Sequence, residues 1–161
     1  MRYFFDTEFI EDGKTIDLIS IGIVAEDGRE YYAENAGCDL EKASDWVKSS
    51  VIPHLKGGKS LKDLAQIREE VLLFVGQDKP KFWAYYGAYD WVALCQLFGK
   101  MIDLPKGWPY YCRDIKQLCD SLGNPRLPEL GKDEHNALAD ARWGRDAYDF
   151  LTAAQPNTHH R

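Results

Sequence analysis

Four carboxylates and one histidine stand in this chain where they could do metal-assisted chemistry: Asp6, Glu8, Asp90, Asp140 and His135. Asp6 and Glu8 lie in FFDTEF, whose alternation is that of a strand, so their side chains share one face two residues apart. The strand is otherwise aromatic, which places that face centrally and largely out of water. Ionised carboxylates are costly there unless something positive compensates them, and a hard divalent cation prefers oxygen ligands. Taken alone, the pair is explained more simply by an edge strand with its acidic face in water. Asp140 shifts that balance. Ala137, Asp140, Ala141, Gly144, Ala147, Tyr148 and Leu151 recur at spacings of three and four and form one helical stripe. Asp140 sits near the middle of this small-residue stripe, not on its edge, and Gly144 one turn later would permit close approach of another backbone.

Asp90 shares a stripe with Leu94, Leu97, Phe98 and Met101, directly after the apolar run KFWAYY. Alone it reads as an N-terminal carboxylate that stabilises helix donors and dipole. His135 precedes Asp140 by five residues, which is not a same-face helical spacing, so it belongs to the segment entering the last helix. An imidazole that titrates near neutrality suits removal of a proton from water. Alone, His135 reads as a partly exposed histidine beside Asp133 and Glu134. The combination says more than its parts. Two carboxylates on an early strand, one at a helix start and one inside a helix stripe are what a two-metal phosphodiester hydrolase requires. Such sites hold two cations roughly 4 Å apart, one beside the attacking water and one beside the leaving oxygen. Magnesium or manganese suits an all-oxygen shell.

The elements that must position these groups read as follows. Residues 2–9, DLISIGIVAE and REYYAEN are strands, separated by the hairpin dipeptides Asp12-Gly13 and Asp27-Gly28. The first third is therefore an antiparallel meander. A helical stretch over 40–55 is ended or kinked by Pro53. Ser60 and Asp63 resemble a capping box that opens a helix through about Val75. KFWAYY (81–86) reads as a buried strand, Asp90 to Phe98 as a helix stopped by Gly99, and Asp114 to Leu122 as another helix. A last helix runs from about Asn136 to Ala153. The expected fold class is α/β, a mixed sheet flanked by helices, in one domain over residues 1–155 with a short polar tail over 156–161.

A hydrophobic fraction of 45% excludes a mainly disordered chain, and no apolar run approaches the roughly 20 residues that cross a bilayer. MRYFFDTEF has acid where a signal peptide carries its apolar stretch, so a cytoplasmic location is expected. Cys38, Cys95, Cys112 and Cys119 show no metal-type spacing and read as reduced thiols. The net charge of −6 argues against a protein that coats long nucleic acids, since such proteins are usually basic. It leaves open a nuclease whose site is screened by divalent cations. Lys56, Lys59 and Lys62 could touch phosphates, though a solvated surface explains them better.

In Asp6-Thr7-Glu8, in Asp90 within YGAYDWVAL, and in HNALADAR with His135 and Asp140, the chain resembles the DEDD exonucleases of the subgroup with histidine in the last motif. The motifs occur in the family order and cover nearly the whole chain. FFDTEFIEDG, DLISIG and WAYYGAYDWVALCQLFG extend the likeness to bacterial 3′-exoribonucleases related to ribonuclease T, with a preference for polyadenylate. The resemblance implies a ribonuclease H-like fold with a five-stranded mixed sheet, RNA 3′ ends as substrate, and a homodimer. It implies Asp6, Glu8 and Asp140 as direct ligands of two Mg2+ ions (Mn2+ substituting), Asp90 as holder of the second ion, and His135 as general base. Thr7 and Phe9 would line the terminal nucleotide, while Trp83, Tyr85 and Tyr86 are expected in the core. The alternatives are an exonuclease of the same chemistry that prefers DNA or short oligonucleotides, and a non-catalytic binding domain on the same fold.

Overall fold

Gly13 and Gly28 adopt positive φ (85° and 94°), and at these two points the chain turns back on itself. The strands they connect, β1 (Arg2–Glu11), β2 (Ile16–Ala25) and β3 (Glu30–Asn35), pair antiparallel in the expected meander. The structure, a computed structural model, describes residues 1–153; the polar tail read over 156–161 lies outside the described residues. On the other side of β1 lies β5 (Lys81–Ala84), parallel to it and aligned Arg2 to Lys81 through Phe4 to Trp83. Two short strands, β4 (Leu61–Lys62) and β6 (Arg113–Asp114), complete a mixed sheet of order β4-β3-β2-β1-β5-β6. The resemblance implied five strands and the sheet has six. Strands of two residues are too short to show an alternation.

β1 is central, as its aromatic composition demanded. Its odd-numbered residues Tyr3 and Phe5 pack with Ile21, Ile23 and Phe82 against Ile67 and Val71 of α2 (Leu64–Val75) and Leu94 of α3 (Ala88–Gln96). Its even-numbered Phe4 packs on the opposite face with Ile115 of α4 (Ile115–Ser121) and Ala147 and Leu151 of α5 (Ala137–Ala153). Each face of the sheet thus has its own apolar layer, and Asp6 and Glu8 belong to the face under α5.

Local differences from the expected elements have physical causes. Pairing of Leu61 and Lys62 with Glu34 and Asn35 holds that stretch extended, so α2 begins after Asp63 rather than at Ser60. Asp63 Oδ1 accepts from Gln66 N at 2.8 Å and is the cap. α1 (Asp45–Ser50) is capped by Ser44 and gives way to a 3-10 turn containing Pro53. Asn136 lies just outside α5 and caps it, its Oδ1 accepting from Leu138 N and Ala139 N at 3.1 Å each. The four cysteines are free thiols. Among the described residues no helix is long and apolar enough to cross a membrane.

Candidate active site

The register places Asp6 opposite Gly22 and Glu8 opposite Ser20 of β2. Gly22 is what lets the last helix approach. A Cβ built there would lie 2.4 Å from both N and Cα of Leu138, so the first turn of α5 rests directly on the β2 backbone. That contact delivers Asp140 to the strand carboxylates. The close approach expected at Gly144 is a different kind of contact: a Cβ there would meet the side chain of Ile115 at 3.3 Å, not a backbone. Immediately after Glu8 the pairing slips, because Phe9 is aligned with Leu18 and Ile19 is skipped. Such bulges re-aim neighbouring side chains and recur next to active sites.

His135 has a φ of 71°, unusual for a residue with a Cβ. Its backbone N–H donates to Asp140 Oδ2 at 3.1 Å, which ties the entry segment to the helix. Its ring stands edge-on to Trp46 of α1, with centroids 5.0 Å apart and planes at 82°. Trp46 is 57% exposed and was not singled out in the sequence, where nothing in SDWVKS marks it. One ligand atom each from Glu8, His135 and Asp140 lie within 4.8 Å of one another, a spacing that could hold a metal ion. Asp6 stands beside this group: with His135 and Asp140 it borders a cavity of about 100 Å³ walled by Tyr85, Leu130 and Trp143.

Asp90 comes from the opposite side. β5 pairs with β1 only from Arg2 to Phe4, so beyond that point the β1 edge has no strand partner. The first turn of α3 fills the gap. Thr7 N and Thr7 Oγ1 both donate to Asp90 Oδ1, at 2.9 and 2.6 Å. Asp90 therefore does more than sit at a helix start, and Thr7 is buried against α3 on the face away from Asp6 and Glu8. Phe9 leans on the exposed ring of Tyr89, centroids 6.1 Å apart. Of the aromatics expected inside, Trp83 and Tyr85 pack against the layer under α5. Tyr86 does not: it lies in the turn beyond β5 in a left-handed conformation (φ 52°) and is 65% exposed. Lys62 is held by Glu70, its Nζ 2.7 and 2.8 Å from the two carboxylate oxygens.

Further along the Asp6 face lie Tyr32 and Glu34, aligned across β2 with Gly22 and Ser20. Glu34 is 2% exposed yet fully satisfied, accepting from Tyr32 Oη and from the backbone N–H groups of Lys56 and Gly57 (2.6 and 2.8 Å). The contrast with its neighbours is instructive. None of Asp6, Glu8, Asp90 and Asp140 forms a salt bridge among the described residues. Asp6 Oδ2 and Asp140 Oδ1 are buried without any hydrogen-bond partner. Burial, reinforced by Asp90, Glu8 and Asp140, pushes the Asp6 carboxyl well above its usual range. Burial, then the charges of Asp140 and Asp90, pushes Glu8 to about 8. Burial likewise raises Asp140 to about 6, against the stabilising N–H of His135, and raises Asp90 against the two donors of Thr7. Buried acceptors without donors, in mutual repulsion, are complementary to positive charge. The all-oxygen character of the carboxylates matches a hard divalent cation.

Residues 1–152 match the Rv2179c-like 3′-5′ exoribonuclease domain. Two Mycobacterium tuberculosis proteins are similar over most of their length: 3′-5′ exoribonuclease Rv2179c of strain ATCC 25618 / H37Rv and 3′-5′ exoribonuclease MT2234.1 of strain CDC 1551 / Oshkosh. Each is 52% identical over 147 residues, covering 88% of this chain and 88% of the relative. The chain belongs to the Rv2179c-like 3′-5′ exoribonuclease family. Among solved structures, the zinc-bound form of an E. coli ExoI–ssDNA complex superposes with a TM-score of 0.71 over 97% of this chain, at 11% identity. A second exonuclease I structure gives 0.65 over 96%, also at 11% identity. The chain spans 41% of each of these longer proteins, and the likeness establishes the nuclease fold alone. The exoribonuclease thus combines a family-level identity, a fold shared with exonuclease I and an acidic group able to hold a metal ion. In this Rv2179c-like chain that group lies where β1 and the start of α5 meet.

Proposed function

We propose that this exoribonuclease uses Asp6, Glu8, Asp90, Asp140 and His135 to hydrolyse the 3′-terminal phosphodiester of single-stranded RNA or a 3′ overhang, as an enzyme of the DEDDh type dependent on two Mg2+ ions. The observation that carries the reading is the pair of buried, partnerless oxygens on Asp6 and Asp140 within a cluster of carboxylates raised above their usual range. Asp6, Glu8 and Asp140 would be the direct ligands, and Asp90, held by the two donors of Thr7, would hold the second ion. The bound ions supply an activated water and neutralise charge at the leaving oxygen. His135 takes the proton from the attacking water, and the N–H bond to Asp140 with the edge of Trp46 fixes where its ring stands. Phe9 offers an apolar surface to the terminal base, and Thr7 shapes the same subsite from beneath through Asp90. Stacking on aromatics tolerates any base, so the adenylate preference proposed from the resemblance rests on contacts beyond Phe9.

We further propose a cytoplasmic homodimer in which residues 1–155 form one exonuclease domain. Light scattering that gives a monomer mass at working concentration would exclude the dimer.

The test is hydrolysis of a 3′-overhanging RNA by the purified chain in Mg2+ or Mn2+ and in chelator, with product length followed over time. Stepwise release of mononucleotides from the 3′ end only with metal is the expected result. Undiminished release in chelator would remove the metal-ion mechanism, and faster cutting of the matching DNA would reassign the substrate.

A further inference from the structure

At the other end of β1 the molecule has a second concentration of unmatched groups, opposite in sign. A cavity of about 320 Å³ is lined by Arg2, Lys81, Arg113, Trp83, Tyr148 and Glu26 (with Met1). Three cations face one carboxylate there, in a chain whose net charge is −6. The carboxylate is already engaged: Glu26 accepts from Arg2 N at 2.8 Å and from Arg2 Nη2 at 2.6 Å. Arg2 Nη1 donates to Tyr148 Oη at 3.1 Å. The remaining nitrogen of that guanidinium, Nε, is buried with no acceptor. So is Trp83 Nε1, the one polar atom of an indole that can only donate. Buried N–H groups without acceptors are uncommon in folded proteins, because each forfeits its hydrogen bonds to water.

Lys81 and Arg113 extend the pattern. Neither forms a salt bridge among the described residues. Arg113 lies within cation–π reach of two rings, its Cζ 5.9 Å from the centroid of Trp83 and 5.7 Å from that of Tyr111. Such contacts orient a guanidinium while leaving its edge for an anion. The register explains the assembly: Arg2 pairs with Lys81 across β1 and β5, and Trp83 pairs with Arg113 across β5 and β6. Three neighbouring strand starts thus bring their donors to one place. A second cavity, of about 230 Å³, adjoins the first, shares Lys81 and Arg113 with it, and adds Lys79 and the exposed ring of Tyr111.

We propose that this cavity is a phosphate-binding site, distinct from the carboxylate cluster, in which Arg2 Nε, Trp83 Nε1, Lys81 and Arg113 take the oxygens of a phosphate group. Four residues of strand separate Arg2 from Asp6, about 13 Å at 3.3 Å per residue, and eight residues of α5 separate Tyr148 from Asp140, about 12 Å. The phosphate of a mononucleotide or inorganic phosphate, and a backbone phosphate of an RNA strand, present the same oxygens to these donors. The site does not depend on the proposed roles of Asp6 or His135, and its test needs no catalysis.

The experiment follows the Trp83 indole N–H by nuclear magnetic resonance in the full chain, with chelator present so that no RNA is cut. The signal is assigned by its loss in Trp83→Phe, which keeps a ring and removes the donor. Titration with inorganic phosphate at constant ionic strength is expected to shift it saturably, while chloride does not. Lys81→Gln, at an exposed position, is expected to weaken that binding by roughly tenfold, because a charge-assisted bond is lost. AMP and oligoribonucleotides of increasing length then separate the two sources. A shift by AMP and phosphate alone assigns a free-phosphate site. A shift that sets in above a threshold RNA length, together with weaker binding of the long strand by Lys81→Gln, assigns a backbone contact. No saturable shift with phosphate, AMP or RNA, or an affinity unchanged by Lys81→Gln, overturns the proposal.

Discussion

Removing divalent cations should make the folded chain less stable as pH rises through neutrality, and Glu8→Gln should weaken that dependence. The sign follows from the direction in which the carboxylates are displaced. Glu8 is held at about 8 in the fold, against an ordinary value of 4.5. Between those values the folded state retains a proton that the unfolded chain has released, so stability falls with rising pH. At about 1.36 kcal/mol per pH unit per proton, the interval from pH 5.5 to 8 corresponds to roughly 3 kcal/mol. Asp6, Glu8 and Asp140 share the same field, and Glu8 retains some contact with solvent, so we expect roughly 2 kcal/mol to be observed. Asp140, raised to about 6, adds to the loss at the acidic end of the interval. For a chain of this size, 2 kcal/mol is a fall in Tm of roughly 4–8 °C. The assay is thermal unfolding in chelator from pH 5.5 to 8.5, repeated with saturating Mg2+ and with Glu8→Gln. Metal should abolish the fall, since it replaces the protons. Glu8→Gln should flatten the metal-free profile and melt above the parent at pH 8. A parent Tm that holds or rises across this range in chelator, or a Glu8→Gln chain that melts below the parent at pH 8, would refute the reasoning.

Three further outcomes are expected. His135→Ala should lower the hydrolysis rate by roughly 10²–10⁴ with Mg2+ affinity by calorimetry little changed; a loss of metal affinity would make His135 a ligand. Gly22→Ala forces a methyl against the backbone of Leu138 and should cost about 3 kcal/mol or more in urea unfolding, whereas an unmoved midpoint would show that α5 is not seated on β2. Thr7→Val deletes the 2.6 Å hydroxyl bond to buried Asp90 and should destabilise by roughly 1–3 kcal/mol with a fall in activity. Thr7→Ser should restore both, and equal behaviour of the Val and Ser chains would separate Thr7 from the positioning of Asp90.

The parts of this site that were legible in the sequence are those set by local periodicity. Asp6 and Glu8 share a face because a strand alternates, and the dipeptides Asp12-Gly13 and Asp27-Gly28 foretold the meander, to which β5 adds on the far side of β1 and makes it central. Asp140 stood out because a charged residue interrupted a stripe of small ones. What was hidden depends on which residues meet across long separations. Gly22 looked like any strand glycine, although the seating of α5 depends on it. Asp90 read as a helix-start carboxylate because its partner, Thr7, lies 83 residues away. Trp46 carries no local mark, since its partner His135 arrives from a loop near the other end of the chain. The edge strands β4 and β6 exist only because β3 and β5 are there to pair with them.

Net charge was the least informative single property, because it carries no position. A net charge of −6 suggests a protein that repels nucleic acid, but net charge says nothing about where charges stand. Many surface carboxylates are neutralised in place, as Glu26 is by Arg2, Glu30 by Arg142 and Glu70 by Lys62. Glu34, deeper than any of them, is satisfied by three donors. Among the described residues the buried groups left without partners are segregated: the carboxylate oxygens of Asp6 and Asp140 at the β1–α5 junction with the Ser20 hydroxyl on β2 beside Glu8, and the N–H donors of Arg2 and Trp83 at the opposite end of β1. Folding normally removes such groups by pairing them with each other, and β1 holds these two sets about 13 Å apart, too far to do so. We propose that each set is matched from outside the chain, by divalent cations at one end and by a phosphate at the other. Part of the acidic surface is thus neutralised by local ion pairs, and the buried groups without partners are where we place the binding capacity of the protein.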